Sequence, residues 1–225
     1  MPNQYTVPTF QSVLDIWSKR KILPSDIFAA LSDERRGQAG RLADVWNTHF
    51  VTDIYGSLLE AIRDGQTTRE WLPKAQQILD AYGAAEGTTV YTGERFSAWY
   101  GDLVFRTNTA NAYAAGRYAE MFSPEWIQAS PFWLYSAIHD KRTRTTHWQL
   151  DGKVFRKDDA AARRFLPPWG FNCRCNAIEL DAADFRDGRY RLSHGSEVEI
   201  QPPEGWDADR VASLVPEILR ARGGA

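Results

Sequence analysis

At Ser123-Pro124 the residue pattern of this chain changes period, and no other feature constrains its fold as much. Upstream of that point, apolar residues recur at three- and four-residue steps. Between Arg41 and Ile62 the positions Leu42, Val45, Trp46, Phe50, Ile54, Leu58 and Ile62 share one helical face, and Asp64-Gly65 ends the run. Thr67-Thr68-Arg69-Glu70 is an approximate capping box. It opens a second helix carrying Trp71, Leu72, Ala75, Ile78, Leu79 and Tyr82, which Gly83 closes. A third helix is expected from Glu94 to Met121, with Asn108, Asn111 and Arg117 as a polar seam. An earlier one starts at Pro24-Ser25-Asp26 and carries Ile27, Phe28 and Leu31.

Downstream, proline ends the helical pattern and short strands with tight turns replace it. Phe132-Trp133-Leu134-Tyr135 is strand-like. Leu150-Asp151-Gly152-Lys153-Val154-Phe155 reads as a tight turn with strand on either side, because Asp-Gly supplies the positive backbone angles of a hairpin. Asn176 to Leu180 is a further strand, and Asp207 to Arg222 a last helix with Val211, Leu214, Val215, Ile218 and Leu219 on one side. The expected class is α+β, with a mostly helical N-terminal part followed by a small mixed α/β domain with short antiparallel strands. The expected division is a helical domain over 1–123, an α+β domain over 124–205 and a C-terminal helix over 206–225.

The chain has 225 residues, enough for one large domain or two modest ones, and 13% aromatic residues with nine Trp to fill a core. With 27 basic and 29 acidic residues the net charge is -2, which argues against wholesale coating of nucleic acid. A local basic patch remains, from Lys141, Arg142 and Arg144 to Arg163, Arg164 and Arg174. No apolar run reaches the roughly 18 residues of a membrane span, and the N-terminus lacks a secretory pattern. Both cysteines lie in Cys173-Arg174-Cys175, where a mutual bridge would close a strained ring. A reducing cytoplasm is the natural setting.

The chemistry concentrates between Trp133 and Leu180. Thiolates and imidazoles suit zinc, which takes about four tetrahedral ligands. His147, Cys173 and Cys175 supply three, with His139 or Asp140 as candidates for the fourth. The bland alternative has the thiols as small buried groups and His147 hydrogen-bonded to the turn. Asp140 can pin its loop through Arg142, Arg144 or backbone amides. As general bases, Asp140 and His147 lack a nucleophile or second carboxylate close in sequence. A metal-dependent nuclease or hydrolase would draw on His139, Asp140, His147 and Asn172 together with Cys173 and Cys175. Asp158 and Asp159 read as a solvated turn. Arg163-Arg164 reads as a solvated face or, with Lys141, as a contact for DNA.

Several spaced elements then occur in order. Asp140-x-Arg142-Thr143-Arg144-x-x-His147-x-x-Leu150-Asp151-Gly152 is followed by Pro167-Pro168-x-Gly170-x-x-Cys173-Arg174-Cys175. This arrangement resembles the phage Mu F-like head morphogenesis proteins, the minor head proteins of tailed phages and prophages. The helix from Phe105-Arg106-Thr107-Asn108 to Ala114-Ala115-Gly116-Arg117 resembles the one that precedes that domain, so the likeness covers about residues 100–182. It implies a virion or procapsid protein present in few copies at the portal vertex, assembled in the host cytoplasm. The implied partners are portal protein, major capsid protein or both, with packaged DNA as a third and no membrane. No catalytic residue and no cofactor are implied. Where this chain has Arg144-x-x-His147, other members carry Cys-x-x-Cys, which with C-x-C would complete a four-ligand zinc site. Arginine cannot ligate a metal, so the resemblance favours a hydrogen-bonded knot of Asp140, Arg142, His147 and the Cys173–Cys175 segment. Structural zinc is the one ligand left open.

Overall fold

The computed structural model describes residues 21–22, 39–40, 48–86, 98–186, 188–203 and 206. The expected helices at Pro24 and over Asp207–Arg222 lie outside them, as do residues 41–47 and 94–97 of the two longer expectations. Two short strands, β1 (Lys21–Ile22) and β2 (Ala39–Gly40), pair in parallel.

Helix α1 (Thr48–Arg63) ends where the sequence says it should. Gly65 takes φ +66, Gln66 N–H donates to Ala61 O at 2.8 Å and Gly65 N–H donates to Ile62 O. Those bonds satisfy carbonyls the last turn would otherwise orphan. Helix α2 (Thr68–Glu86) opens on half of a capping box, in which the Glu70 carboxylate accepts from the Thr67 amide at 2.7 Å. It runs past Gly83, which was expected to close it. A glycine inside a helix costs only about 1 kcal/mol, and Ala84-Ala85 beyond it are strong helix formers. Helix α3 (Ala98–Met121) is followed by α4 (Pro124–Ala129), whose N-cap Ser123 accepts from the Trp126 amide, with Pro124 in the first turn where no N–H is needed.

Three strands follow: β3 (Phe132–Ser136), β4 (Val154–Arg156) and β5 (Asn176–Leu180). They form an antiparallel sheet in the order β4-β3-β5, so the expected α+β class holds. Trp133 sits opposite Phe155 on one side and Glu179 on the other. The Asp-Gly turn is correctly placed, but its upstream arm is not a strand. Residues 145–150 form helix α5 (Thr145–Leu150), which buries His147 and Leu150 on one face. Asp151 at φ −57 and ψ 134, then Gly152 at φ +76, trace a type II turn, and a hairpin would need the mirror-image one. The Lys153 amide closes it on Leu150 O at 3.0 Å.

Two apolar cores result. One joins α1, α2 and the first turns of α3 through Phe50, Ile54, Trp71 and Phe105. Within it the Trp71 indole donates to Ser57 Oγ at 3.0 Å. The other runs across residue 123, from Ala115 and Tyr118 of α3 to Trp133, Phe155, Phe165 and Trp169. The polar seam of α3 is partly internal. Asn108 donates to Val104 O within its own helix, and Arg117 reaches Asn176 Oδ1 and Ala177 O at the start of β5.

After β4, a 3-10 helix (Ala160–Phe165) is clamped to the segment around Gly195. Asp159 caps it, accepting from the Ala162 amide and from Gly195 N–H at 2.7 Å. A Cβ on Gly195 would lie 2.2 Å from Ala162 N, so no side chain fits there.

Candidate functional site

His147, Cys173 and Cys175 converge under the loop Pro167–Gly170. The burial of α5 brings His147 inward, and strand alternation brings Tyr135 to meet it, since Trp133 and Tyr135 share the buried face of β3. His147 is 2% exposed. Its Nδ1 faces Cys175 Sγ at 3.2 Å, Tyr135 Oη at 3.2 Å and Cys173 Sγ at 3.6 Å. The ligand atoms of His147, Cys173 and Cys175 all lie within 4.8 Å of one another. The Trp169 ring meets the imidazole edge-on at 5.5 Å. Gly170, at φ +156, lets the chain pass close, because a Cβ there would be 3.4 Å from both His147 Nε2 and Arg144 Nη1. Pro167, joined to Pro168 by a cis peptide, accepts from the Tyr118 hydroxyl at 2.6 Å, which fixes the loop to α3.

The two thiols titrate as a pair. The contact with Cys173 holds Cys175 down toward the thiolate, helped by hydrogen bonds from His147 and Tyr135. The same contact, with burial, pushes Cys173 up. Burial is also the main cause that raises the Tyr135 phenol.

The remaining sequence candidates lie around this cluster. Asp140 accepts two bonds of 2.7 Å from the Arg174 guanidinium and one of 2.9 Å from the Arg142 amide. That fork ties the 138–144 loop to the C-x-C segment. His139 turns away to Asp151, with Nε2 2.7 Å from Oδ2, and packs on Trp148. Asp151 also accepts from the Ala137 amide at 2.7 Å. Neither His139 nor Asp140 joins the three converging donors, so the two proposed fourth ligands are absent from the cluster. Arg144 donates to Phe171 O at 2.9 Å. Asn172 takes the left-handed φ of 55 beside it. Asp140 and Asp151 are thus both committed to side-chain partners and backbone amides.

Of the basic candidates, Lys141 lies on the exposed loop. Arg163 and Arg164 are half-buried and turned inward. Arg163 lies over the Phe122 ring and donates to Lys157 O, and Arg164 donates to Gly195 O and to Val198 O at 2.6 Å. Asp158 pairs with Arg156 at 2.6 Å, while Asp159 is the cap described above and not a solvated turn residue. Sequence reasoning missed Tyr135 and Trp169 as walls of the site. For Tyr135 the signal was present, two residues from Trp133 on a strand.

Arg174 holds the Asp140 carboxyl well below the usual carboxylate range, with the Arg142 amide adding to the effect. A depressed folded-state value gives stability that is complete above the unfolded value of about 3.9 and fades as pH falls through the folded one. Asp140→Asn is therefore expected to lower stability at neutral pH and to flatten the decline in acid. Urea midpoints measured from about pH 6 down to about pH 2 would test this, and a decline as steep as that of the parent would refute it.

The sequence model of the family described as "Phage Mu protein F like protein" matches residues 52–178, from within α1 to within β5, and the chain belongs to that family. It is 30% identical over 175 residues to "Putative capsid assembly protein F" from Escherichia phage Mu, covering 72% of this chain and 38% of that protein. It is 33% identical over 185 residues to "Mu-like prophage FluMu F protein" from Haemophilus influenzae, covering 79% of this chain and 44% of that one. The chain thus spans about two fifths of the length of the curated relatives it matches. No solved structure matches it.

Proposed function

We propose that the chain acts in head morphogenesis of a tailed phage or prophage, as a minor head protein that contacts portal subunits, capsid subunits or both. The observation that carries this reading is the family match over residues 52–178, from within α1 to within β5. The phage Mu relative, named as a capsid assembly protein, gives the reading its direction. The role is structural, with the buried cluster holding the α+β part together. The surface offered to a partner is the outer face of α3. There Tyr113 is 72% exposed, and Arg106, paired with Asp102, stands two turns before it. Exposed aromatic and arginine side chains are the usual anchors of such contacts. Packaged DNA is a further partner, met through Lys141 and the neighbouring arginines.

The test is co-purification. The tagged chain, expressed with the portal and major capsid proteins of the same genome, is expected to retain one of them, and Tyr113→Ala to weaken that retention with the fold intact. Recovery from tail fractions alone, or normal head yield after deletion of the gene, would count against the proposal.

A further inference from the structure

Charge and geometry at His147, Cys173 and Cys175 call for something more than a knot. Two thiols one residue apart sit beside one imidazole, and the Arg174 and Arg144 guanidiniums next to them are held by Asp140 and by Phe171 O. For zinc bound by one nitrogen and two sulfurs at ordinary bond lengths, the edges of the tetrahedron are about 3.6 Å for N···S and about 3.8 Å for S···S. The Nδ1···Sγ distances are 3.2 and 3.6 Å, and the whole set fits within 4.8 Å. The donor atoms therefore lie within a few tenths of an ångström of two edges of that tetrahedron. Both Cys173 and Cys175 line a cavity of about 570 Å³ bounded by Tyr113, Arg117, Tyr118 and Pro167. An ion seated on the three donors would keep one vertex open on that side for a water molecule.

We infer that His147 Nδ1, Cys173 Sγ and Cys175 Sγ form a three-ligand site for a borderline-soft divalent cation of the zinc class, with the fourth position open to solvent. Both sulfurs bind as thiolates, and any proton still on them passes to water. Two thiolates and a neutral imidazole then balance the 2+ charge of the ion. Tyr135 keeps its hydroxyl proton and donates a hydrogen bond through it to the Cys175 thiolate, in the supporting role that outer partners play around metal ligands. Asp140 acts at one remove, since its fork to Arg174 fixes the residue between the two cysteines.

The experiment uses the full chain, purified under reducing conditions, stripped with a chelator and titrated with cobalt(II) and then zinc. The expected result is about one ion per chain, a near-ultraviolet thiolate-to-cobalt charge-transfer band with tetrahedral visible bands, and loss of that spectrum when zinc displaces cobalt. Zinc should also shield both thiols from a disulfide reagent. Cys173→Ser should weaken the charge-transfer band, and Lys74→Ala, at an exposed position remote from the site, should leave it unchanged. Should the serine variant fail to fold, thiol shielding in the parent still decides. Cobalt bound with only weak octahedral bands, or no binding with two thiols that react equally fast with and without zinc, overturns the inference.

Discussion

Replacing Glu179 with alanine is expected to destabilise the protein by about 3 kcal/mol, toward the lower end of what breaking a buried ion pair costs. Lys157 is 0% exposed, and its ammonium lies 2.5 Å from Glu179 Oε2 and 3.4 Å from Trp126 O. The Glu179 side chain is 29% exposed, which keeps the effect from the top of the range, since water can reach the vacated side. Burial already lowers the Lys157 pKa, and Glu179 opposes that shift. Without the carboxylate the folded-state value falls further below the unfolded one of about 10.4. In the interval between those values the unfolded chain binds more protons, so the variant should regain stability as pH rises through it. Lys157→Met combined with Glu179→Leu should cost less than Glu179→Ala alone, because no uncompensated charge stays buried. Chemical denaturation of the three proteins at neutral and alkaline pH is the check. A single variant within about 0.5 kcal/mol of the parent would show that the pair carries no such weight.

Trp133→Ala is expected to cost about 3–5 kcal/mol. The side chain is 0% exposed on the central strand, with its ring 4.9 Å from that of Phe155. Neighbours on β4 and β5 hold the surrounding backbone, so the site cannot collapse to fill the void. Ile178→Ala, on β5 and 41% exposed, is the matched control and should change stability by about 0.5 kcal/mol or less. Equal losses in the two variants would mean that the sheet, and not the core under it, sets stability.

What could be read from the sequence was what local rules govern. Asp64-Gly65 and the Thr67 to Glu70 pair marked the break between α1 and α2, because capping depends on residues within one turn. Phe132–Tyr135 and Asn176–Leu180 announced strands by their apolar runs. Thr145–Leu150 did not announce a helix, since one and a half turns carry too little periodicity and Asp-Gly suggests a hairpin whatever precedes it. Long-range partners were invisible for a different reason. Lys157 meets Glu179, Arg164 meets Val198 and Gly195 meets Ala162 only after the chain has folded back. His139 and Asp140 looked like ligands by proximity in sequence, yet Asp151 and Arg174 hold them off the cluster.

The strand order also sets a timetable. β3 is the central strand of the sheet but the first of the three to be made. During synthesis at roughly 5–20 residues per second, Leu180 follows Ser136 by about 44 residues, or roughly 2–9 s. Throughout that interval at least one edge of β3 lacks its partner strand, and Trp133 and Tyr135 have no finished core to enter. The nascent chain is then at its most adhesive, and the helices already completed upstream are the nearest apolar surface on which it can wait.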